Sequence, residues 1–339
     1  MTADLAIVTH PLSIQHDTGD WHPESVRRIQ ALAGLGTAPE HSAHTVQLTA
    51  NEAGTEDLVR VHSPRLIERL NELNREGGGP IDADTLMSAH SLEAALGAAG
   101  AGITAVEAID RGTARNAYIV VRPPGHHATA VQAMGFCLFN NIAVTAAYLR
   151  KQGQRVAIID WDVHHGNGTQ DIFWNDPDVL FVSLHEAGIY PGSGWLHELG
   201  GPQAPGTTIN VAMPAHATGD VYRHAFDTLV ADAVDWFGPD WILVSAGYDA
   251  HRSDPLANVD LTAGDFATFT DRVLQMSDGR QTVMFVEGGY DLRALVDSAN
   301  ATVDRLVGVE SHREAPSEGG PGADIVDQTR LVWEGAVAS

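Results

Sequence analysis

The stretch at residues 155–170 (RVAIIDWDVHHGNGTQ) constrains the fold more than any other part of the chain. It begins with apolar, mostly β-branched residues and lacks Gly and Pro there, which is typical of a strand buried on both faces of a parallel sheet. It then continues into two carboxylates and two imidazoles, and buried charge is costly unless something pairs with it. Residues i, i+2 and i+4 of an extended segment share a face. We therefore expect Asp160, Asp162 and His164 to face a divalent cation, with ion pairing at a strand end as the alternative.

Other apolar runs alternate with helix-like segments along the 339 residues. This alternation predicts an α/β domain with an open, mostly parallel sheet and helices on both faces. No linker or repeat divides it, so we expect one catalytic domain at residues 1–310. A C-terminal region would follow at 311–339, with a mobile loop at 314–324 (EAPSEGGPGAD) and a short element at 325–333. The predicted strands are 5–9, 45–48, 117–121, 156–160, 179–184, 208–212, 241–245 and 282–286, and the helices include 91–110, 142–152, 222–237 and 263–277.

The amino-acid composition limits which molecules and compartments suit this chain. The formal net charge of −24 opposes nucleic-acid binding and favours cationic substrates. No apolar run reaches the roughly 18 residues of a membrane span, and the N-terminus lacks a signal-peptide pattern. The single cysteine, Cys137, is incompatible with an internal disulfide framework and fits a reducing compartment. We therefore expect a cytoplasmic protein that binds neither nucleic acid nor membranes.

Polar side chains follow four of the predicted strands at the point where each strand ends. The pair His126 and His127 follows 117–121, Asp249 follows 241–245, and Tyr290 follows 282–286; the carboxylates of residues 160 and 162 end the fourth strand. Ligands of parallel α/β sheets bind at the carboxyl ends of the strands. One such residue is more often a helix cap or a turn residue. Four groups at equivalent ends predict a functional site.

These residue types suit one kind of chemistry. Asp162, His164 and Asp249 would give a metal three ligands and leave a position open, as in catalytic rather than structural zinc sites. Zinc would acidify a bound water and polarise a carbonyl. One histidine of the pair at 126 and 127 could take the water proton and return it to a leaving amine.

Two further groups complete this arrangement. Tyr290 could donate a hydrogen bond to the developing oxyanion. Asp160 could accept a ring N–H of His126 and so fix its tautomer. The whole set describes metal-assisted hydrolysis of an amide.

Five segments in this order resemble the signature segments of zinc-dependent histone deacetylases, on the class II and bacterial amidohydrolase side: RPPGHHA, MGFCLFNN, DWDVHHGNGTQ, SAGYDAHRSDPLA and EGGYDL. The resemblance covers about residues 5–309. It implies a single-domain arginase–deacetylase fold with an eight-stranded parallel sheet, one zinc ion per chain, and deacylation of lysine side-chain amides. By position, it implies zinc ligands at Asp162, His164 and Asp249, paired histidines at His126 and His127 with the latter as general base and acid, and an oxyanion donor at Tyr290.

The resemblance also implies a K⁺ or Na⁺ site beneath the zinc and a tunnel for the acyl-lysine side chain. Asn167 stands where some deacetylases have an aspartate beside the second histidine, which leaves that histidine a neutral neighbour. The implied monovalent-cation ligands are Asp160, Asp162, His164, Ser183 and the carbonyl of Leu184, and the implied substrate-binding residues are Gly135, Phe136, Tyr190, Leu256 and the rim carboxylate Asp84.

Alternative functions remain open at this point. The substrate could be an acetylated polyamine rather than acyl-lysine, although Leu256 occupies a rim position that is a glutamate in the polyamine-selective eukaryotic branch. Residues 71–85 also look too short for the insertion that narrows the entrance of the bacterial polyamine enzymes. A silent acyl-lysine binding module is disfavoured by the intact catalytic set, and a binuclear-manganese ureohydrolase by Gly166, where a further carboxylate would be needed. The expected partners are acyl-lysine proteins or small acetylated amines, with self-association left open.

Overall fold

The computed structural model describes residues 2–310 and 313–338. Its centre is an eight-stranded sheet in which every paired neighbour runs parallel. A two-stranded hairpin, β3 and β4, lies outside it. All eight strands predicted from the sequence are present. The strands in chain order are β1 Ala3–Thr9, β2 Thr45–Thr49, β3 Gly79–Pro80, β4 Leu86–Met87, β5 Ala114–Val120, β6 Val156–Asp160, β7 Val179–Glu186, β8 Thr208–Met213, β9 Trp241–Ala246 and β10 Gln281–Val286.

The strand order across the sheet is β2-β1-β5-β10-β9-β6-β7-β8. The last strand in the sequence, β10, therefore lies in the interior of the sheet between β5 and β9. All strands point the same way, so the segments that follow β5, β6, β9 and β10 leave the sheet at one edge. This topology brings the four polar strand ends predicted from the sequence to the same edge of the sheet.

Helices cover both faces of the sheet. Every residue of β6 is buried, and alternate β6 residues belong to two different apolar cores, which is why the strand reads as a continuous apolar run. The helix Gly219–Phe237 contains a π-helical turn, Phe226–Val230. The α-helices are α1 Val26–Ala31, α2 Pro39–Ser42, α3 Thr55–Leu58, α4 Pro64–Arg75, α5 Ser91–Asp110, α6 Asn141–Lys151, α7 Asn167–Phe173, α8 Gly219–Ala225, α9 Ala231–Phe237, α10 Ala263–Ser277, α11 Leu292–Leu306 and α12 Ala323–Val337.

Helix α5 departs from one expectation. By length and mean hydropathy it is apolar enough to cross a membrane, although no segment of this kind was expected from the sequence. Its 18-residue apolar window is 78% buried inside the protein. Alanines and glycines make up much of the buried surface, so α5 packs closely against the sheet and α6. These are the features of a helix in a protein core.

The C-terminal segment is tied to the rest of the protein by hydrogen bonds. Residues 313–322, which include most of the segment predicted as a mobile loop, form a strap across the N-terminal ends of α8 and α10. The Ser317 hydroxyl donates to Asp265 at 2.6 Å, and the Thr262 hydroxyl donates to the Ala315 carbonyl at 2.8 Å. The element that follows, α12, has 15 residues, and Trp333 is only 4% exposed and donates its Nε1–H to the Gly206 carbonyl at 3.0 Å.

The division at residue 310 stays a prediction. Helix α12 packs on the preceding domain through β8 and α8, and the strap binds Gly219 and Asp265. Residues 1, 311, 312 and 339, which belong to the two predicted ranges, lie outside the described residues.

Candidate active site

The three side chains predicted to bind a metal lie together beyond the ends of β6 and β9. Ligand atoms of Asp162, His164 and Asp249 all lie within 4.8 Å of one another. The Nδ1 atom of His164 is 3.2 Å from Oδ1 of Asp162 and 3.0 Å from Oδ2 of Asp249. Two carboxylates and an imidazole around one centre are a donor set that suits Zn²⁺. This triad can therefore hold a metal ion.

Backbone N–H groups fix the two carboxylates. Gly288 donates to Oδ2 of Asp162 at 2.7 Å, and Val163 donates to Oδ1 of Asp249 at 3.0 Å. A Cβ atom at Gly288 would collide with the carboxylate of Asp249, so only glycine lets the backbone come this close. The carboxylates are thus oriented before any ligand arrives.

The electrostatics of this triad favour a positive charge. Burial alone would lower the pKa of His164, but hydrogen bonds to Asp162 and Asp249 outweigh burial and raise it to about 10. Asp162 and Asp249 are both fully buried. Two buried carboxylates that share one imidazole attract a cation, which can be a proton or a metal ion.

His126 lies beside the triad and contacts Asp160, as predicted. Its Nδ1 atom is 3.0 Å from Oδ2 of Asp160. Burial alone would lower the pKa of His126, but the charges of Asp162 and Asp160 raise it to about 10. A carboxylate that accepts the Nδ1–H leaves Nε2 of His126 turned away from Asp160.

His127 contacts Asn167 instead of a carboxylate. Its Nδ1 atom lies 2.7 Å from Oδ1 of Asn167, which can only accept, so Nδ1 carries the proton. Burial, followed by the nearby His126 and His164, holds the pKa of His127 well below its usual value. His127 is therefore a neutral imidazole with a free electron pair on Nε2.

Tyr290 follows β10 on the turn at residues 287–291. Its ring packs at 6.0 Å from the Phe136 ring, and the Arg28 guanidinium lies 5.0 Å from its centroid. Burial and the charge of Asp249 raise the pKa of the Tyr290 phenol well above its usual value. The hydroxyl consequently stays protonated and can donate a hydrogen bond.

A cavity of about 240 Å³ joins these groups to the surface. Phe136 and Tyr190 both face it, and the Tyr190 ring stands edge-on to His127 at 5.0 Å. Gly135 and Phe136 both have positive φ, and a Cβ at Gly135 would meet the His127 ring. Every substrate-binding residue predicted from the sequence lines this cavity, together with Ile189, which was not predicted: Asp84, His127, Gly135, Phe136, His164, Ile189, Tyr190, Leu256 and Tyr290.

The rim of the cavity carries a pair of carboxylates. Asp82 Oδ1 accepts the backbone N–H groups of Asp84 and Thr85, which folds the two acidic side chains into one turn. Burial and the hydrogen bond to Asp82 raise the pKa of Asp84. His22 Nε2 lies 2.9 Å from the Asp84 carbonyl, so the N-terminal segment also holds the rim.

The residues predicted to bind a monovalent cation lie at neighbouring positions of β6 and β7. Asp160 of β6 pairs with Ser183 of β7, and Leu184 is the residue after Ser183. All three residues are buried. The Ser183 hydroxyl lies 2.9 Å from Nδ1 of His185. Their role as cation ligands stays a prediction.

Two other histidines near the site, His165 and His251, do not belong to the metal triad found among the described residues. His165 contacts Ser193 and Gln170, and His251 contacts Glu314. At Gly166 a Cβ atom would collide with the carboxylate of Asp160, so this backbone position has no room for the side chain of a second-metal ligand.

A buried cluster of charges behind Tyr290 was not predicted. Glu24 accepts from Arg122 at 2.5 and 2.7 Å and from Arg28 at 3.0 Å. Arg28 also donates to the carbonyls of Glu287 at 2.5 Å and Gly289 at 2.6 Å. Glu24 and Arg28 are four residues apart, but the other partners are 98 to 261 residues apart, so no local pattern reveals the cluster. The cluster supports the turn that carries Tyr290.

Comparisons with known proteins agree with this geometry. The family model described as "Histone deacetylase domain" matches residues 22–306. Histone deacetylase 10, chloroplastic, from Oryza sativa subsp. japonica is 39% identical over 86% of this chain and 70% of its own length. A probable deacetylase from Archaeoglobus fulgidus is 37% identical over 87% of this chain and 83% of its own length.

A bacterial relative and a solved structure extend the similarity. The histone deacetylase-like amidohydrolase of Pseudomonas aeruginosa is 38% identical over 85% of this chain and 77% of its own length. The crystal structure of the HD domain of HDA15 superposes with a TM-score of 0.90 at 33% identity, over 100% of this chain and 96% of that one. The similarity thus covers the sheet, the metal triad and the cavity.

Proposed function

This chain belongs to the histone deacetylase family, and from that premise we propose that it is a zinc-dependent deacetylase that hydrolyses the side-chain amide of acyl-lysine. The strongest support for this proposal is that His127, His164 and Tyr290 line the same cavity. A general base, a metal ligand and a hydrogen-bond donor around one space are the groups that amide hydrolysis requires.

Zinc would be held by Asp162, His164 and Asp249, one ion per chain. When bound, it would acidify a water molecule and polarise the amide carbonyl. Side chains of the protein would carry out the proton transfers and stabilise the developing charge. Nε2 of His127 takes the proton from the attacking water and returns it to the leaving amine, since Nδ1 is already committed to Asn167.

His126 and Tyr290 act beside this base. Asp160 orients His126 through Nδ1. The Tyr290 phenol, whose raised pKa keeps it protonated, donates to the oxygen of the attacked carbonyl. The negative charge that develops on the carbonyl oxygen is thus stabilised by a fixed hydrogen-bond donor instead of by mobile water.

The cavity walls explain why a lysine side chain would fit. The aromatic rings of Phe136 and Tyr190 would contact the methylene groups of the lysine. Gly135 leaves room for this lysine side chain beside His127. At the mouth, Asp84 would accept backbone N–H groups of a peptide. Leu256 is 37% exposed there and would contact apolar parts of the substrate.

We also propose a bound K⁺ or Na⁺ at Asp160, Ser183 and the Leu184 carbonyl, with Asp162 and His164 contributing to the same site. Asp160 would then link the cation to His126. A cytoplasmic location remains a prediction.

The competing function is hydrolysis of acetylated polyamines. The net charge of −24 and the paired rim carboxylates Asp82 and Asp84 favour a small cationic substrate as well as a basic protein segment. The two functions differ in what lies beyond the amide, which is neutral backbone in a peptide and a second ammonium in a polyamine.

A substrate panel tests the proposal. Purified zinc-loaded protein is assayed on acetyl-, propionyl- and longer acyl-lysine peptides and on acetylated polyamines, with Tyr290→Phe as the low-activity control. We expect the highest kcat/KM on an acyl-lysine peptide, with activity lost to a chelator and restored by zinc. A clear preference for acetylated polyamines would replace the acyl-lysine assignment, and no amide hydrolysis by the zinc-loaded protein would overturn the proposal.

A further inference from the structure

The position of Tyr290 depends on a turn that has little stiffness of its own. Two glycines, Gly288 and Gly289, precede Tyr290, and Gly289 has φ of 122°, which residues with a side chain rarely adopt. Glycine backbones have many accessible conformations, so the turn is ordered only by its contacts. Arg28 binds the carbonyls of Glu287 and Gly289 and therefore restrains the part that precedes Tyr290.

A buried carboxylate restrains the other part of the turn. Oδ2 of Asp254 accepts the backbone N–H of Tyr290 at 2.6 Å and that of Asp291 at 3.2 Å. Its Oδ1 accepts the N–H of Leu256 at 3.0 Å. Asp254 is only 7% exposed, so its bonds are not weakened by competing water. One side chain thus ties the backbone of Tyr290 to the segment that carries Leu256 at the cavity rim.

The segment around Asp254 is itself anchored to the C-terminal strap. Nδ1 of His251 accepts the N–H of Ser253 at 3.1 Å, so Nε2 carries the ring proton. This Nε2–H donates to Oε2 of Glu314 at 2.9 Å, and the other oxygen of Glu314 accepts from Arg252 at 2.8 Å. Glu314 lies beyond the residues matched by the family model, 22–306. The C-terminal strap therefore holds the segment that holds Tyr290.

We propose that Asp254 is a positioning residue for Tyr290: by binding the adjacent N–H groups of residues 290 and 291, it places the phenol where the oxygen of the attacked carbonyl develops charge. This inference rests on the proposed amidohydrolase function. Two hydrogen bonds from consecutive N–H groups to one carboxylate oxygen fix the orientation of the peptide. An oxyanion donor acts only within hydrogen-bond distance of the charge, so a small displacement of the turn is costly.

The position of Asp254 distinguishes this role from general support of the fold. Asp254 reaches the oxyanion donor through the backbone of the Tyr290 turn, and its other contact, to the Leu256 N–H at the rim, would affect KM instead. Its contribution to kcat should therefore disappear when the phenol is absent. A residue needed merely for folding would lower activity whether or not the phenol is present. A double-mutant cycle measures this difference directly.

The experiment compares Asp254→Ala and Asp254→Asn in the wild-type and Tyr290→Phe backgrounds. We expect Asp254→Ala to lower kcat by about 10- to 100-fold with KM changed less than about 2-fold. In the Tyr290→Phe background the same change should lower kcat by less than about 2-fold. Asp254→Asn keeps the shape and one accepting edge and should give a smaller loss, so the cycle can be completed with this variant if the alanine variant does not fold.

Hydrogen–deuterium exchange supplies a readout that needs no activity. The peptide that contains residues 288–292 should exchange faster in both Asp254 variants than in wild-type protein, because the N–H groups of residues 290 and 291 lose their acceptor. Asp227→Ala is the matched control, since this carboxylate is exposed and pairs with Arg272 of α10. It should change neither exchange of this peptide nor kcat.

Each result decides the inference. Equal losses of kcat in the two backgrounds, a loss confined to KM, or near-normal turnover of Asp254→Ala would overturn the positioning role. Unchanged exchange of the 288–292 peptide would overturn the tether itself. Wild-type protein inactive on every amide would contradict the proposed function instead, while the exchange experiment would still decide whether Asp254 holds the turn.

Discussion

Nδ1 of His127 donates a hydrogen bond to Oδ1 of Asn167 at 2.7 Å. The nitrogen of the same amide fixes the orientation of the Asn167 side chain, because Nδ2 donates to the His127 carbonyl at 3.4 Å. A neutral partner fixes the tautomer without raising the pKa of the ring as a carboxylate would. His127 is therefore poised as a base, whereas His126, which is bound to Asp160, retains its proton.

The first prediction concerns the metal. Asp249→Ala removes one of three ligands, so zinc content should fall well below about one ion per chain. Elemental analysis of the purified variant measures it. Asp227→Ala, which changes an exposed carboxylate paired with Arg272, should keep full zinc occupancy. Full occupancy in the Asp249 variant would contradict the ligand assignment.

The second prediction concerns the phenol of Tyr290. Tyr290→Phe removes the oxyanion donor and keeps the ring that packs against Phe136. We expect kcat to fall by about 10²–10³. Steady-state kinetics with parallel zinc analysis and thermal unfolding should show an intact metal site and fold. Near-normal turnover would mean that Tyr290 serves only to shape the turn.

The third prediction concerns substrate selectivity. Leu256 gives the distant ammonium of a polyamine no partner, so wild-type protein should prefer acyl-lysine peptides to acetylspermidine in kcat/KM. Leu256→Glu should narrow this gap by about 1–3 kcal/mol, the scale of a charge-assisted hydrogen bond. Leu256→Gln introduces a side chain with the shape of glutamate but no charge, and should narrow the gap in kcat/KM less. An equal effect of the two substitutions would exclude the electrostatic explanation.

The fourth prediction concerns the buried carboxylate of Glu24. Burial alone would raise its pKa, but Arg122 and Arg28 outweigh burial and lower the pKa to about 2 from 4.5. A lowered pKa stabilises the fold above the unfolded-state value, and this stabilisation is lost as the pH falls from about 4.5 towards 2. Glu24→Gln should therefore lower the free energy of unfolding by about 3 kcal/mol at pH 7.

Urea unfolding between pH 7 and pH 3 measures this difference. The gap between wild type and Glu24→Gln should be constant above about pH 5 and should narrow as the solution becomes more acidic. A gap that stays the same down to pH 3 would show that the carboxylate does not titrate between the two states as expected.

The fifth prediction concerns the C-terminal helix. Trp333→Ala should lower the free energy of unfolding by about 3–5 kcal/mol, because it leaves a cavity under α12 and deletes the bond to the Gly206 carbonyl. Leu331 lies on the same helix but is 68% exposed. Leu331→Ala should change stability by less than about 0.5 kcal/mol in the same thermal and urea experiments.

The sheet could be predicted from the sequence because strands buried on both faces, such as β6, are continuous apolar runs with clear ends. Parallel topology then places those ends at one edge, which is why Asp162, Asp249 and Tyr290 could be grouped before their distances were known. The cavity residues depended on the resemblance to a family, since Phe136 and Tyr190 show no local pattern of their own.

Other parts could not be predicted because their partners are distant in sequence. Nothing near Glu24 indicates Arg122, and nothing near Asp254 indicates the N–H of Tyr290. The C-terminal strap has the composition of a mobile loop, yet Ser317 and its neighbours bind polar groups of α8 and α10. Composition reports the intrinsic preference of a segment, whereas tertiary hydrogen bonds decide whether it is ordered.

The interior position of β10 has a consequence for how the protein is made. During synthesis the strands β2, β1 and β5 emerge first, followed by β6, β7, β8 and β9, so the growing chain contains two half-sheets with open edges at β5 and β9. Only β10 joins them, and the segment after it supplies Gly288 and Tyr290 to the site. A nascent chain that has not yet released β10 therefore has neither a closed sheet nor the complete site.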